Sequence, residues 1–313
     1  MRRSLLVVSL LVLSVPVVAS AQIHGAWSAL VKGDRIHLNV TREHSNWGRT
    51  LPRTDFAIAD SALSSSTETP VHFTFNKDAG AIDFTGTFQN GEGVGRFSFT
   101  PSRSYLSTLQ SLGVATDSQI DDDDLFSLAM HDVSTAFIRD MQSLGYRENL
   151  DQYIAFRIHG VTTDFVRELR SLGYEKLSAD DLVAFRIHGV TPQFVREMKA
   201  LGYTLEGDDL VAFRIHGVTA DFARQMKDYG VKELSADQLV AMRIHGVSTD
   251  FVRELRDLGY TGLSSDDLVA MRIHGVTTRF IRELADAGYH GIPVDKLVEM
   301  KIHGIDAPML RKP

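Results

Sequence analysis

The sequence predicts an α+β chain of two domains: a small antiparallel β meander, built as a sandwich or a partly open barrel, then an α-solenoid of helical-hairpin repeats with a 28–29 residue period. Three observations carry this reading. From His24 to about Pro101 apolar and polar residues alternate with period two, and the breaks are rich in Gly, Asn and Asp. From Asp121 onward one phrase returns, FRIHGVTTDFVRELRSLGY at Phe156, FRIHGVTPQFVREMKALGY at Phe185 and MRIHGVSTDFVRELRDLGY at Met242. Its histidine stands at 131, 159, 188, 216, 245, 274 and 303, a self-similarity that marks a solenoid, because a unit this small buries its apolar face only against a neighbouring copy.

Taken in order, Met1-Arg2-Arg3, the Leu/Val run from Leu5 to Leu13 and Ala19-Ser20-Ala21 form the basic, apolar and small-residue parts of a secretory signal peptide, residues 1–21. The mature chain is expected to start at Gln22 and to be periplasmic or extracellular. That apolar run is too short for a transmembrane span and no later stretch approaches the roughly 20 residues one needs. The β domain is expected over 22–102. Ala26–Val31 and Arg35–Thr41 flank Lys32-Gly33-Asp34, Val71, Phe73 and Phe75 share one face, and the last hairpin turns through Asn90-Gly91 into Phe97 and Phe99. A half-repeat helix and linker follow over 103–118, with Tyr105, Leu109 and Leu112 in the places of Phe194, Met198 and Leu201. The repeats fill 119–313.

One copy shows why the unit folds. Ser178 and Asp181 have the spacing of a capping box, and the helix they start carries Leu182, Val183, Phe185 and Ile187 on its apolar side. Gly189 suits the left-handed stop of that helix. Thr191 is an N-cap type and Pro192 is favoured at the first helical position. Phe194, Val195, Met198 and Leu201 then make one stripe ending at Gly202. The first full copy departs from this pattern, with Ala129 where others have arginine and Asp132 where others have glycine, as capping an open stack requires.

Two rows are candidates for binding: Arg157, Arg186, Arg214, Arg243 and Arg272, and, two places on, His159, His188, His216, His245 and His274. Arginine forks suit carboxylates and phosphates. The competing reading pairs the arginines between layers with acids such as Asp181, Asp209, Asp267, Glu168, Glu197 and Glu254. The histidines stand in the last turn of a helix, where hydrogen bonds to the unpaired carbonyls account for them. Layers roughly 8–10 Å apart are too widely spaced for neighbouring imidazoles to share a metal ion, so no metal is expected. A second arginine row follows the helix-two phenylalanine, from Arg139 to Arg282. Trp27 and Trp47 mark either a ligand site or the core of the β domain.

Composition bounds the rest. The 313 residues are 43% hydrophobic with a formal charge of −7 and no cysteine, so disulfides and a lipoprotein anchor are excluded. Ile187-His188-Gly189-Val190 between two helices suggests a helix-hairpin-helix DNA module, but Thr191 stands where its second glycine belongs and acids outnumber bases; no nucleic acid is expected. No nucleophile elbow, zinc-protease signature or phosphate loop is present, so no catalytic residue and no cofactor is expected.

Gly25-Ala26-Trp27-Ser28, Asn46-Trp47-Gly48 and Gly93 through Pro101, joined to the RIHGVT…FVRELRSLGY array, resemble the exported C-terminal tail of bacterial beta-lactam-sensor-type (BlaR-like) membrane metallopeptidases and its stand-alone secreted relatives. The peptidase's membrane helices and zinc motif are absent. The resemblance implies a sensor or interaction role outside the cytoplasmic membrane. The function expected is a non-catalytic scaffold that binds a protein, peptide or envelope polymer along the solenoid. The alternatives are a small-ligand sensor sited in the β domain and a plain structural spacer.

Overall fold

The structure is a computed structural model that describes residues 23–42, 45–116, 119–306 and 309; the signal-peptide segment lies outside them. It divides into two compact units, one holding the sheet with Asp117–Thr135, the other Val114–Thr116 with Ala136 onward. The division therefore falls later than the change of sequence period.

In the first unit, strands β1 (Ile23–Lys32), β2 (Arg35–Arg42), β3 (Ser45–Pro52), β4 (Thr69–Lys77), β5 (Gly80–Gln89) and β6 (Glu92–Pro101) form one antiparallel sheet in the order β3-β2-β1-β6-β5-β4. Each half is a meander, and pairing of the first strand with the last joins them. Alternation puts Ile36, Leu38 and Val40 on the apolar face with Phe73, Ile82, Phe84, Phe97 and Phe99, all buried. Register explains two glycines. Trp27 lies opposite Gly95, which lies opposite Gly86, and the indole crosses both, so a methyl at either would meet it and the backbone of the adjoining strand.

A one-turn helix α1 (Asp60–Leu63) precedes β4, and helix α2 (Arg103–Ser111) forms where the half-repeat was expected; buried Tyr105 donates to the Val133 carbonyl at 2.6 Å. Helix α3 (Asp122–His131), the first helix of the first copy, serves the sheet. Its Phe126 stacks on Phe97 at 5.3 Å and stands edge-on to Trp47 at 5.1 Å. This accounts for the irregular copy better than capping an open stack does. Ala129 is buried where an arginine would have no room, and Asp132, left-handed at φ 55°, pairs with Lys77. Thr135, which opens α4 (Thr135–Ser143), donates from its N–H and its hydroxyl to Asp78.

The second unit is the helical array. First helices α5 (Leu150–His159), α7 (Ala179–His188), α9 (Gly207–Ile215), α11 (Ala236–Ile244), α13 (Ser265–Ile273) and α15 (Val294–Ile302) pack each on the next. So do second helices α6 (Thr163–Ser171), α8 (Pro192–Ala200), α10 (Ala220–Asp228), α12 (Thr249–Asp257) and α14 (Thr278–Asp286). The local chemistry is as expected: Ser178 and Asp181 cap reciprocally, Gly189 is left-handed at φ 72°, and Thr191 accepts from the Phe194 N–H. Leu182, Phe185, Val190, Phe194, Val195 and Met198 are buried. Ile187 is not.

Tyrosines tie successive copies. The hydroxyls of Tyr146, Tyr174 and Tyr260 donate to the carbonyls of Leu177, Leu205 and Ile292 at 2.7–2.9 Å. Burial raises all three above the ordinary tyrosine value, and at Tyr146 it outweighs the lowering by Arg170. An acid whose folded pKa is raised stabilises the fold fully below its unfolded value, near 10, and loses that contribution as pH climbs through the folded value. Helical circular dichroism should therefore fall together with the rise of tyrosinate absorbance above about pH 10; a helix signal that persists after these tyrosines ionise would contradict the linkage.

Candidate functional site

The row of Arg157, Arg186, Arg214, Arg243 and Arg272 has a structural task that neither reading of the sequence described. Each guanidinium lies over the helix-two phenylalanine of the preceding copy: Arg157 over Phe137, Arg186 over Phe165, Arg214 over Phe194, Arg243 over Phe222 and Arg272 over Phe251, at 5.0–5.2 Å from the ring centres. Lys301 sits over Phe280 in the same way at 4.8 Å. The arginine also covers the preceding copy's helix stop. Arg186 Nε donates to the His159 carbonyl at 3.3 Å, and a methyl built on Gly160 would meet the Arg186 guanidinium. Phe in helix two and Arg in the next helix one thus form one clamp per layer, and each cation–π contact is worth about 0.5–1 kcal/mol at such exposure.

Acids take other roles. Asp181, Asp209 and Asp267 accept the backbone N–H groups of Ser178, Glu206 and Ser264 at helix starts. Glu168 and Glu254 pair between layers with Arg196 and Arg282 of the second row, and Asp164, Asp221 and Asp250 pair with Arg167, Arg224 and Arg253 within a helix. Glu197 accepts from Gln193. Among the described residues no carboxylate pairs with Arg186, Arg214, Arg243 or Arg272. Their rims face solvent as unneutralised positive charge.

Between each such arginine and the histidine stands the feature that pattern reading missed. Ile158, Ile187, Ile215, Ile244, Ile273 and Ile302 are between 52% and 57% exposed, one in each layer. Periodicity assigned Ile187 to the apolar side of its helix. At 3.6 residues per turn Ile187 stands about 200° round the helix from buried Phe185, on the side turned away from the packed face, and faces water. The histidines correct a second expectation. The rings of His159, His188, His216, His245 and His274 are exposed and, among the described residues, make no hydrogen bond to the helix-end carbonyls; at His159 the next copy's arginine has taken that carbonyl. The layers therefore present a repeating Arg-Ile-His edge, cationic beside aliphatic.

A further basic series was also missed. Arg170 donates to the Leu144 carbonyl and lies over Tyr146, Lys199 donates to the Leu172 carbonyl and lies over Tyr174, and Arg256 lies over Tyr229. Its signal was present in the phrase, a basic residue three places before the Gly-Tyr pair. These are clamps of the second helices, parallel to those of the first.

Trp27 is a core residue, and neither tryptophan lines the cavity of the sheet unit. Trp27 is 2% exposed, packs among Phe73, Phe84 and Phe88, and donates from its indole to the Thr85 carbonyl at 3.1 Å, which leaves it nothing to offer a ligand. Trp47 is half-buried against Phe126. The sheet unit does hold a cavity of about 380 Å³ elsewhere, with walls of Leu38, Leu51, Phe75 and Ile82 and with Arg49 and Lys77 among its polar lining. No group of three or more His, Asp or Glu side chains is placed to hold a metal among the described residues, and none of their helices is long and apolar enough to cross a membrane.

No protein-family model and no curated protein matches this sequence.

The clamp and the exposed row separate by mutation. Phe194→Ala should cost about 3–5 kcal/mol and Arg214→Ala about 1 kcal/mol, whereas Ile215→Ser should stay within about 0.5 kcal/mol in urea denaturation. A loss at Ile215 as large as that at Phe194 would make the isoleucine a core residue and remove the site.

Proposed function

We propose that this chain is a non-catalytic, exported interaction scaffold that binds a protein, peptide or envelope polymer along the Arg-Ile-His edge of its helical array. One observation carries the reading: six half-exposed isoleucines recur beside basic residues, and four of these, Arg186, Arg214, Arg243 and Arg272, have no acidic partner among the described residues, whereas Arg167, Arg196, Arg224, Arg253 and Arg282 of the second row are paired with acids. Water-facing aliphatic side chains in register are costly to a surface unless something covers them. A plain spacer has no use for them. Export rests on the Met1–Ala21 pattern, and the resemblance to the tail of beta-lactam-sensor-type metallopeptidases favours the same compartment and an interaction role.

A photo-crosslinking residue placed at Ile215 or Ile244 should give a common adduct in the native cell envelope, while the same residue at exposed Lys176 or Asp228 should not. Equal labelling from all four positions, or none from the row, removes the reading.

The sheet cavity supports a second reading, a sensor of small amphipathic ligands, because its aliphatic and aromatic walls adjoin Arg49, while Lys77 in the same lining is paired with Asp132 and Asp55 adds an acid. Decanoate at ten times its Kd should raise the melting temperature by about 2–4 °C, with the shift lost in Arg49→Ala. An unshifted melting temperature at saturating decanoate counts against it.

A further inference from the structure

The spacing of the exposed row limits what fits along it. Stacked helices lie roughly 8–10 Å apart, so the six isoleucines repeat at about that interval. An extended β-strand returns a side chain to the same face every ~6.6 Å and an α-helix advances ~5.4 Å per turn; both run out of register within two layers. A polyproline-II chain has three residues per turn and rises ~3.1 Å per residue, so the same face returns every ~9.3 Å. At the middle of the helix-packing range, about 9 Å, it alone of the three stays in register from layer to layer. It has no internal hydrogen bonds and keeps its backbone solvated, which suits an open edge rather than a closed groove.

Charge fixes the remainder. Arg186, Arg214, Arg243 and Arg272 flank the isoleucines without carboxylate partners, and Lys301 closes the row at the last layer paired to Asp306. An occupant that sets an apolar side chain on each isoleucine and a carboxylate beside each arginine satisfies both. The aliphatic row favours the side chains of a polypeptide over the hydroxylated face of a polysaccharide.

Resting on the scaffold reading above, we propose that the occupant is an acidic polypeptide in polyproline-II conformation with a period of three: one apolar residue, one Asp or Glu, and a third position open to proline. Six layers hold about 18 residues of such a chain. The geometry also makes binding cumulative, since each layer adds a similar contact.

The test uses the full mature chain and fluorescein-labelled peptides, read by fluorescence anisotropy at about 50 mM salt, where arginine–carboxylate attraction is least screened. A peptide of six Glu-Leu-Pro triplets should bind at least tenfold more tightly than one of six Lys-Leu-Pro triplets, and than a peptide of the same Glu, Leu and Pro content with leucine at every second position. The combined Ile187→Ser, Ile215→Ser, Ile244→Ser variant should weaken the first peptide at least tenfold with an unchanged circular dichroism spectrum, and nine triplets should bind no more tightly than six. Equal binding of the alternating or lysine peptide, or no binding of any peptide, overturns the proposal. Displacement by polyguluronate in place of peptide would assign the edge to an anionic polysaccharide and overturn the peptide occupant. Crosslinking from Ile215 and Ile244 judges the scaffold reading separately, so a failed peptide with positive crosslinks leaves the edge in use by another ligand.

Discussion

Each copy of the repeat has a phenylalanine that it cannot cover, and the arginine that covers it belongs to the next copy. Phe194 is 5% exposed only because Arg214 lies across it. The same guanidinium shields the left-handed glycine that ends the previous first helix, so one side chain holds two layers at the point where their backbones turn. Helices of nine or ten residues are marginal alone in water. Their persistence here depends on contacts of this kind with the layers on either side, repeated by the tyrosine and basic clamps of the second helices.

That dependence orders the rest of the molecule. A layer needs a neighbour, and the first copy finds one in the sheet: α3 turns its apolar residues to Phe97 and Phe99 and gives up the arginine and the glycine of the phrase, which have no task against a β surface. Within the sheet the decisive constraint is equally local. Trp27 is large enough to cover two strands only because Gly95 and Gly86 leave the floor bare beneath it.

Much of this was legible in the sequence. Caps and stops are local chemistry, so Ser178, Gly189, Thr191 and Pro192 could be placed residue by residue, and the buried stripe of the second helix followed from its period. What depended on partners distant in sequence was not legible. The arginine row was visible as a row, but its phenylalanine lies about 20 residues earlier in the chain, and charge alone suggested acids as partners. Ile187 was assigned inward because it is apolar and follows Leu182 and Phe185 in the same helix, although it stands about 200° round the axis from Phe185. The histidines were given helix-end carbonyls, and at His159 that carbonyl accepts from Arg186 of the next copy instead. In the β unit, alternation located the strands but could not foresee that the last would pair with the first, nor that the ligand-sized space would lie away from both tryptophans.

The copies are not equal in length. From His188 to His216 the chain takes 28 residues and from His159 to His188 it takes 29, and the difference falls in the loop between a second helix and the next first helix, where Tyr203-Thr204-Leu205 stands in place of Tyr174-Glu175-Lys176-Leu177. Yet Arg214 meets Phe194 at nearly the distance at which Arg186 meets Phe165. The pitch of the array is thus independent of the contour length of its chain. Insertions and deletions of single residues in these loops are silent for the edge, so copies can diverge in sequence there while a long, regular ligand continues to find every rung in phase.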